Sequence, residues 1–191
     1  MAFQLSDIQP NWTLFLDRDG VINLERDNDY VTSWKEFLFY PESLEALPLL
    51  RKFFKTIVIT TNQKGVGKGI MLESTLQDIH TKMLEKIESI GGGIDHIFYC
   101  IDLDNDSPNR KPQPGMAFQA KEKFPSIQLN QSIMVGNRMS DMQFGRNAGL
   151  HTIFLATTHP ETPFPDAHID FRFSNLLEFT KAIIQNNFIY K

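Results

Sequence analysis

Residues 14–23 read Leu-Phe-Leu-Asp-Arg-Asp-Gly-Val-Ile-Asn, and this stretch constrains the fold more than any other. An apolar, β-prone run (Leu14, Phe15, Leu16) delivers two carboxylates, Asp17 and Asp19, on alternate positions, and Gly20 lets the backbone turn away. Residues two apart on an extended chain project to the same side. Two negative charges at the end of a buried strand are costly unless cations meet them, which points to a bound metal ion and an anionic substrate. A lone Asp-x-Asp at a polar strand exit would carry no such meaning, so the motifs that follow decide its reading.

Short β-rich runs recur at 13–16, 56–60, 96–100, 132–136 and 152–155, with helix-like stretches between them. That alternation predicts an α/β fold, a doubly wound parallel sheet with helices on both faces. With 191 residues, 41% of them apolar, residues 1–191 are read as a single domain. Segment 21–40 lacks helical period; its aromatics Tyr30, Trp34, Phe37, Phe39 and Tyr40 suit a hairpin over the strand ends, most of them packing beneath it. Pro41 opens a helix to about Phe53 with Leu44, Leu47, Leu50 and Phe54 as its stripe, and Pro48 inside it predicts a kink or break. Ser74 and Gln77 form a capping-box pattern for a helix that carries Leu76, Ile79, Met83, Ile87 and Ile90 up to the Gly91-Gly92-Gly93 stop. Further helices are expected at 115–123, 141–147 and 175–185.

In such a sheet, ligands bind beyond the carboxyl ends of the strands, where the strand order reverses. The polar motifs fall at those ends. After the second strand come Thr61, Asn62 and Gln63 and then Lys64-Gly65-Val66-Gly67-Lys68-Gly69, which suit phosphate oxygens but fail as a nucleotide P-loop; a plain turn remains an equal reading. After the third, the acidic run 102–106 reads as a solvated turn, followed by Arg110 and Lys111, whose flanking Pro112 and Pro114 could hold a cation aimed at the site. After the fourth, Asn137 and Asp141 bracket one helical turn, either facing a metal or serving as cap and first-turn acid.

Composition narrows the function. A net charge of -4 and a pI near 5.7 leave no general basic field, which argues against nucleic acid as a partner. One cysteine permits no internal disulfide, and neither a signal-like head nor an 18-residue apolar run is present, so no membrane association and a cytoplasmic setting are expected. The histidines at 80, 96, 151, 159 and 168 have no ligand spacing and give no zinc site.

Taken together, Asp17-x-Asp19-Gly20-Val21, Thr61, Lys111 and Gly136-Asn137-x-x-x-Asp141 resemble, in order, the four motifs of the haloacid dehalogenase (HAD) superfamily, over about residues 12–157. The fuller strings Asp-Arg-Asp-Gly-Val-Ile-Asn, Thr-Asn-Gln and Arg-Lys-Pro-Gln-Pro-Gly-Met, with no room for a large cap, are similar to the histidinol-phosphate and heptose 1,7-bisphosphate phosphatase branch. The resemblance implies a three-layer HAD-like Rossmannoid sandwich and a magnesium-dependent phosphatase. Asp17 would be the nucleophile and Asp19 the acid-base, with Thr61 and Lys111 on the transferring phosphoryl group. Arg18, Asn62, Gln63, Arg110 and segment 27–30 would meet the substrate, and Asp17, Asp19, Asn137 and Asp141 would hold Mg2+.

The chain departs from that pattern twice. Asn137 stands where the family normally has an acid, so Mg2+ should bind more weakly unless Asp141 joins it. Cys100, Asp102, Ser107 and Asn109 lie where many members carry a zinc loop, so no zinc is expected. The expected substrate is a small phosphate ester, heptose 1,7-bisphosphate ahead of histidinol phosphate, handled by a monomer. A nucleic-acid end phosphatase and a pseudophosphatase weakened by Asn137 are the competing readings.

Overall fold

The computed structural model describes residues 3–26 and 29–188, Phe188 by its backbone alone. Six strands, β1 (Thr13–Leu16), β2 (Thr56–Asn62), β3 (His96–Cys100), β4 (Ser132–Gly136), β5 (His151–Leu155) and β6 (Phe171–Phe173), form one sheet in the order β3-β2-β1-β4-β5-β6. Every neighbouring pair is parallel. The chain winds outward from β1 through β2 to β3 and then returns to β4 on the other side, so the order reverses between β1 and β4. The helices are α1 (Pro41–Phe53), the single turn α2 (Lys64–Gly67), α3 (Glu73–Ser89), α4 (Gly115–Lys123), α5 (Met139–Ala148) and α6 (Leu176–Phe188).

Strand alternation separates two cores. Leu14, Leu16, Ile57, Ile59, Ile133 and Val135 pack on one face with Leu47 and Leu50 of α1, Ile79 and Met83 of α3, and Phe179 and Ile183 of α6. Phe15, Val58 and Met134 pack on the other with Met116, Ala117 and Ala120 of α4 and Phe144 and Ala148 of α5. Each large, fully buried apolar side chain among these contributes about 1.5–3 kcal/mol. The expected doubly wound α/β sheet is therefore present, with no large cap among the described residues.

The local differences have physical reasons. β2 extends two residues past the expected end, because Thr61 and Asn62 still pair with Tyr99 and Cys100 of β3. Helix α1 runs through Pro48 without a break; Leu47 and Leu50 are fully buried beside it, and that packing outweighs the missing hydrogen bond. The Ser74–Gln77 capping box does not form: α3 starts at Glu73 behind Leu72, which places Ser74 inside the first turn. Among the described residues, segment 21–40 is hairpin-like at its base, through a bridge between Asn23 and Phe39, and a 3-10 turn (Trp34–Glu36) takes up its middle. Phe37 is buried and stacks with Trp34, and Tyr30 is the aromatic of this segment that reaches the cleft described below. Among the described residues no helix is long and apolar enough to cross a membrane.

Candidate active site

Leu16 pairs with Ile59 on one side and Val135 on the other, so the residues after β1, β2 and β4 meet at the reversal point. Asp17 leaves β1 with its N–H donating to Val135 O at 2.9 Å. Its Oδ1 lies 2.8 Å from Lys111 Nζ, which is 2.7 Å from Asp141 Oδ1 and donates to Thr60 O at 2.8 Å, so the three ammonium protons are all engaged. All three side chains of this triad are buried. Asp141 comes this close because residue 136 is glycine: a Cβ there would fall 2.3 Å from Asp141 Cβ. Asn62 fixes the main chain of Lys111 on both sides, accepting from its N–H at 3.1 Å and donating to its carbonyl at 3.0 Å. Burial pushes the Asp17 carboxyl up to about 7, with the charge of Asp141 adding to the effect and Lys111 opposing it. Burial would lower the Lys111 ammonium, but Asp141 and Asp17 hold it above its usual value.

Asp19 sits in a different setting. Arg18 Nη2 donates to both its oxygens at 2.9 Å, Asn23 Nδ2 donates to Oδ1 at 2.9 Å and Gln63 Nε2 donates to Oδ2 at 3.0 Å. Burial would raise this carboxyl, but Arg18, then Asn23 and Gln63, hold it below the ordinary carboxylate value. Arg18 in turn donates from Nη1 to His80 Nε2 at 3.1 Å, an assignment that follows because a guanidinium cannot accept.

Burial and the charge of Arg18 push the His80 imidazole down to about 3. His80 therefore stays neutral in the fold, whereas in the unfolded chain it protonates near pH 6.5. Between those values the unfolded state binds the extra proton, so this residue makes stability fall as pH drops. His80→Gln keeps an acceptor for Arg18 and is expected to gain on the wild type by roughly 2 kcal/mol between pH 7 and pH 5, measured from urea midpoints. A difference that stays constant with pH would mean that His80 protonates within the fold.

Three residues expected on the substrate line the cleft described below and also hold the site together. Arg18 is 1% exposed and engaged by Asp19 and His80, and Asn62 is engaged by Lys111. Gln63 bridges Asp19 and the Thr61 hydroxyl, to which it donates at 2.9 Å. The reason is geometric: each amide or guanidinium finds an immobile partner within reach before any ligand arrives.

A cleft of about 620 Å³ opens over these groups. Asp17, Asp19, Thr61, Lys111 and Asp141 line it, and so do Glu25, Arg26, Asp29, Tyr30, Lys64, Lys68, Arg110, Arg138 and Ser140. Of segment 27–30, Asp27 and Asn28 lie outside the described residues. Lys64 and Lys68 form no ion pair with a described residue, and Lys68 Nζ lies 5.4 Å from the Tyr30 ring centre. Burial and the charge of Arg110 push the Lys64 ammonium down, with Lys68 adding to the effect. Arg110 is held by Asn105 Oδ1 at 3.3 Å and Asp102 O at 3.2 Å. The acidic turn is exposed as expected, and it also serves to aim this guanidinium.

Asn137 follows β4 and is fully buried. Its Nδ2 donates to Glu25 Oε2 at 2.8 Å and Thr158 Oγ1 at 2.6 Å, while its buried Oδ1 has no donor among the described residues. Such an orphan acceptor costs about 1–3 kcal/mol, which a bound cation would offset. Gly20, at φ +84°, allows the contact, since a Cβ there would fall 2.0 Å from Asn137 Nδ2. Among the described residues no three His, Cys, Asp or Glu side chains form a metal site by themselves, so a cation here needs amide or carbonyl oxygens beside Asp17. The donor set is all oxygen, which fits Mg2+.

Asp141 is less suited to a cation. Its Oδ1 meets Lys111 and its Oδ2 accepts from Arg138 N–H at 3.0 Å. Glu25, Arg138, Asn23 and His80 were not legible as site residues: Glu25 and Asn23 fall in an aperiodic segment, and His80 lies on the apolar stripe of α3.

Comparison with known proteins identifies the family. The HAD-hydrolase-like family model matches residues 108–171. The D-glycero-alpha-D-manno-heptose-1,7-bisphosphate 7-phosphatase of Mycobacterium bovis is 34% identical over 173 residues, which cover 90% of this chain and 91% of that protein. The D-glycero-beta-D-manno-heptose-1,7-bisphosphate 7-phosphatase of Neisseria meningitidis is 32% identical over 180 residues, 91% of this chain and 95% of that one. The crystal structure of the D,D-heptose 1,7-bisphosphate phosphatase of B. bronchiseptica, complexed with magnesium and phosphate, superposes with a TM-score of 0.82 at 29% identity, covering 91% of this chain and 98% of that one. The chain belongs to the HAD superfamily and, within it, to the family of heptose-bisphosphate phosphatases.

Proposed function

We propose that the protein hydrolyses the 7-phosphate of D-glycero-D-manno-heptose 1,7-bisphosphate. The observation that carries this reading is the charge pattern of the cleft, which holds the Asp17–Lys111–Asp141 triad and also Lys64, Lys68 and Arg110, three cations with no carboxylate partner among the described residues. A substrate with a phosphate at each end satisfies both regions. Histidinol phosphate carries one phosphate and a cationic amine, which the basic cluster would repel.

Phosphate monoesters are so inert that enzymes supply up to about 10²¹-fold acceleration, more than one group can give. In this reading Asp17 attacks phosphorus and forms an aspartyl-phosphate, the ester oxygen leaving with a proton from Asp19; Asp19 then takes a proton from the water that hydrolyses the acyl phosphate. The Thr61 hydroxyl meets the transferring oxygens, and Lys111 turns to them the proton it shares with Asp17 while Asp141 and the Thr60 carbonyl keep it in place. Arg18, Asn23 and Gln63 orient Asp19, whose lowered pKa favours the ionised form until the charge of the substrate phosphate arrives and raises that pKa. Asp17, the carbonyl of Asp19 and Asn137 Oδ1 would hold Mg2+, which stabilises ionised Asp17 and offsets its repulsion from the phosphate.

The test compares kcat/KM for heptose 1,7-bisphosphate, heptose 7-phosphate and histidinol phosphate. The bisphosphate is expected to lead, and Lys64→Ala/Lys68→Ala to lower its kcat/KM on the order of 10- to 100-fold, with little change for the monophosphate. Equal efficiency on histidinol phosphate would overturn the assignment.

A further inference from the structure

Asn137 presents a puzzle that its own side chain does not resolve. A hard divalent cation beside a phosphate gains from carboxylate charge, and position 137 offers a neutral amide. Asp141 does not make up the difference, because Lys111 and the Arg138 N–H occupy its two oxygens. Among the described residues, Glu25 is the remaining acid in contact with this amide. Its side chain is 15% exposed, it lines the same cleft as Asp17 and Asp19, and its two oxygens are fixed from different directions. Oε2 accepts from Asn137 Nδ2 at 2.8 Å, and Oε1 accepts from Arg138 Nε at 2.8 Å.

That contact settles which way the amide faces. With Nδ2 donating to Glu25 and Thr158, the flipped amide would set its oxygen against a carboxylate, so Oδ1 stays the unpartnered atom. We propose that Glu25 is a positioning residue of the cation site: it holds Asn137 so that Oδ1 is free to ligate, and it restores from a neighbouring position the negative charge that residue 137 lacks. Partners of this kind set both the orientation and the basicity of a ligating group. The inference rests on the phosphatase reading of the same cleft. Arg138 keeps Glu25 in place but contributes charge of the wrong sign, so its removal should not weaken a cation.

The experiment is calorimetric titration of Mg2+ into the 191-residue protein, with thermal midpoints in chelator recorded alongside. Glu25→Gln is expected to weaken Mg2+ about 10- to 100-fold while moving the chelator midpoint little. Asn137→Asp placed in that background is expected to bring affinity back to within a few-fold of the wild type, because the amide introduced at position 25 can then donate to the new acid. Arg138→Gln is expected to leave Mg2+ affinity within about threefold. Wild-type affinity in Glu25→Gln, or an equal loss in Arg138→Gln, overturns the proposal. If wild-type protein releases phosphate while Glu25→Gln binds Mg2+ normally, only this inference fails; if Mg2+ binding depends on Glu25 but no phosphate ester is hydrolysed, only the phosphatase reading fails.

Discussion

Lys111→Met is expected to cost about 3–5 kcal/mol of stability and to lower turnover roughly 10²- to 10³-fold. The ammonium stands between Asp17 Oδ1 at 2.8 Å and Asp141 Oδ1 at 2.7 Å, and all three side chains are buried. Methionine fills the volume but leaves two carboxylates facing one another and the Thr60 carbonyl without its donor. The chain can relieve this only by protonating one acid, so the deficit should shrink as pH falls, because Asp17 already titrates near 7 in the intact triad. Urea denaturation of Lys111→Met and of Lys111→Met/Asp141→Asn separates the two losses. The double variant is expected to regain part of the stability, one buried charge having gone, and none of the activity, since the ammonium that meets the phosphoryl oxygens is still absent. A Lys111→Met protein as stable as the wild type would mean that the triad is not the ion network its distances describe.

How much of this was legible follows from the range over which each feature is encoded. The first and fourth strands occur as expected because runs such as Leu14–Leu16 and Ile133–Val135 carry their own β preference and are buried on both faces. Asp17 and Asp19 stood out because period 2 at a strand end is a local fact. The partners of Arg18, Asn62 and Gln63 are not local: Arg18 meets His80 across 62 residues, and Asn62 meets Lys111 across 49. A free guanidinium or amide in a sequence reads as a ligand-seeking group, and only the fold reveals that a neighbour has already engaged it. The contact between Asn137 and Glu25 spans 112 residues and joins a loop without periodicity to a strand end. That is why the sequence pointed to Asp141 as the acid beside Asn137.

The two acids that follow β1 differ in how the fold treats them, and their amide variants should separate accordingly. Asp17→Asn is expected to reduce phosphate release by roughly 10⁴- to 10⁶-fold, because an amide cannot form the acyl phosphate on which the two-step route depends. The fold should tolerate it, since the amide is isosteric, the desolvation that raises Asp17 disappears and Lys111 keeps Asp141. Asp19→Asn should behave differently with an aryl phosphate, whose leaving group departs without a proton. The first step then survives while water activation fails, so the phosphorylated enzyme accumulates. Mass spectrometry of acid-quenched reactions reads this directly. One phosphoryl group is expected on the peptide carrying Asp17 in Asp19→Asn, only a trace in the wild type at steady state, and none in Asp17→Asn. Phosphate release by Asp17→Asn within about tenfold of the wild type, or a label on any other residue, would remove Asp17 from the nucleophile's place.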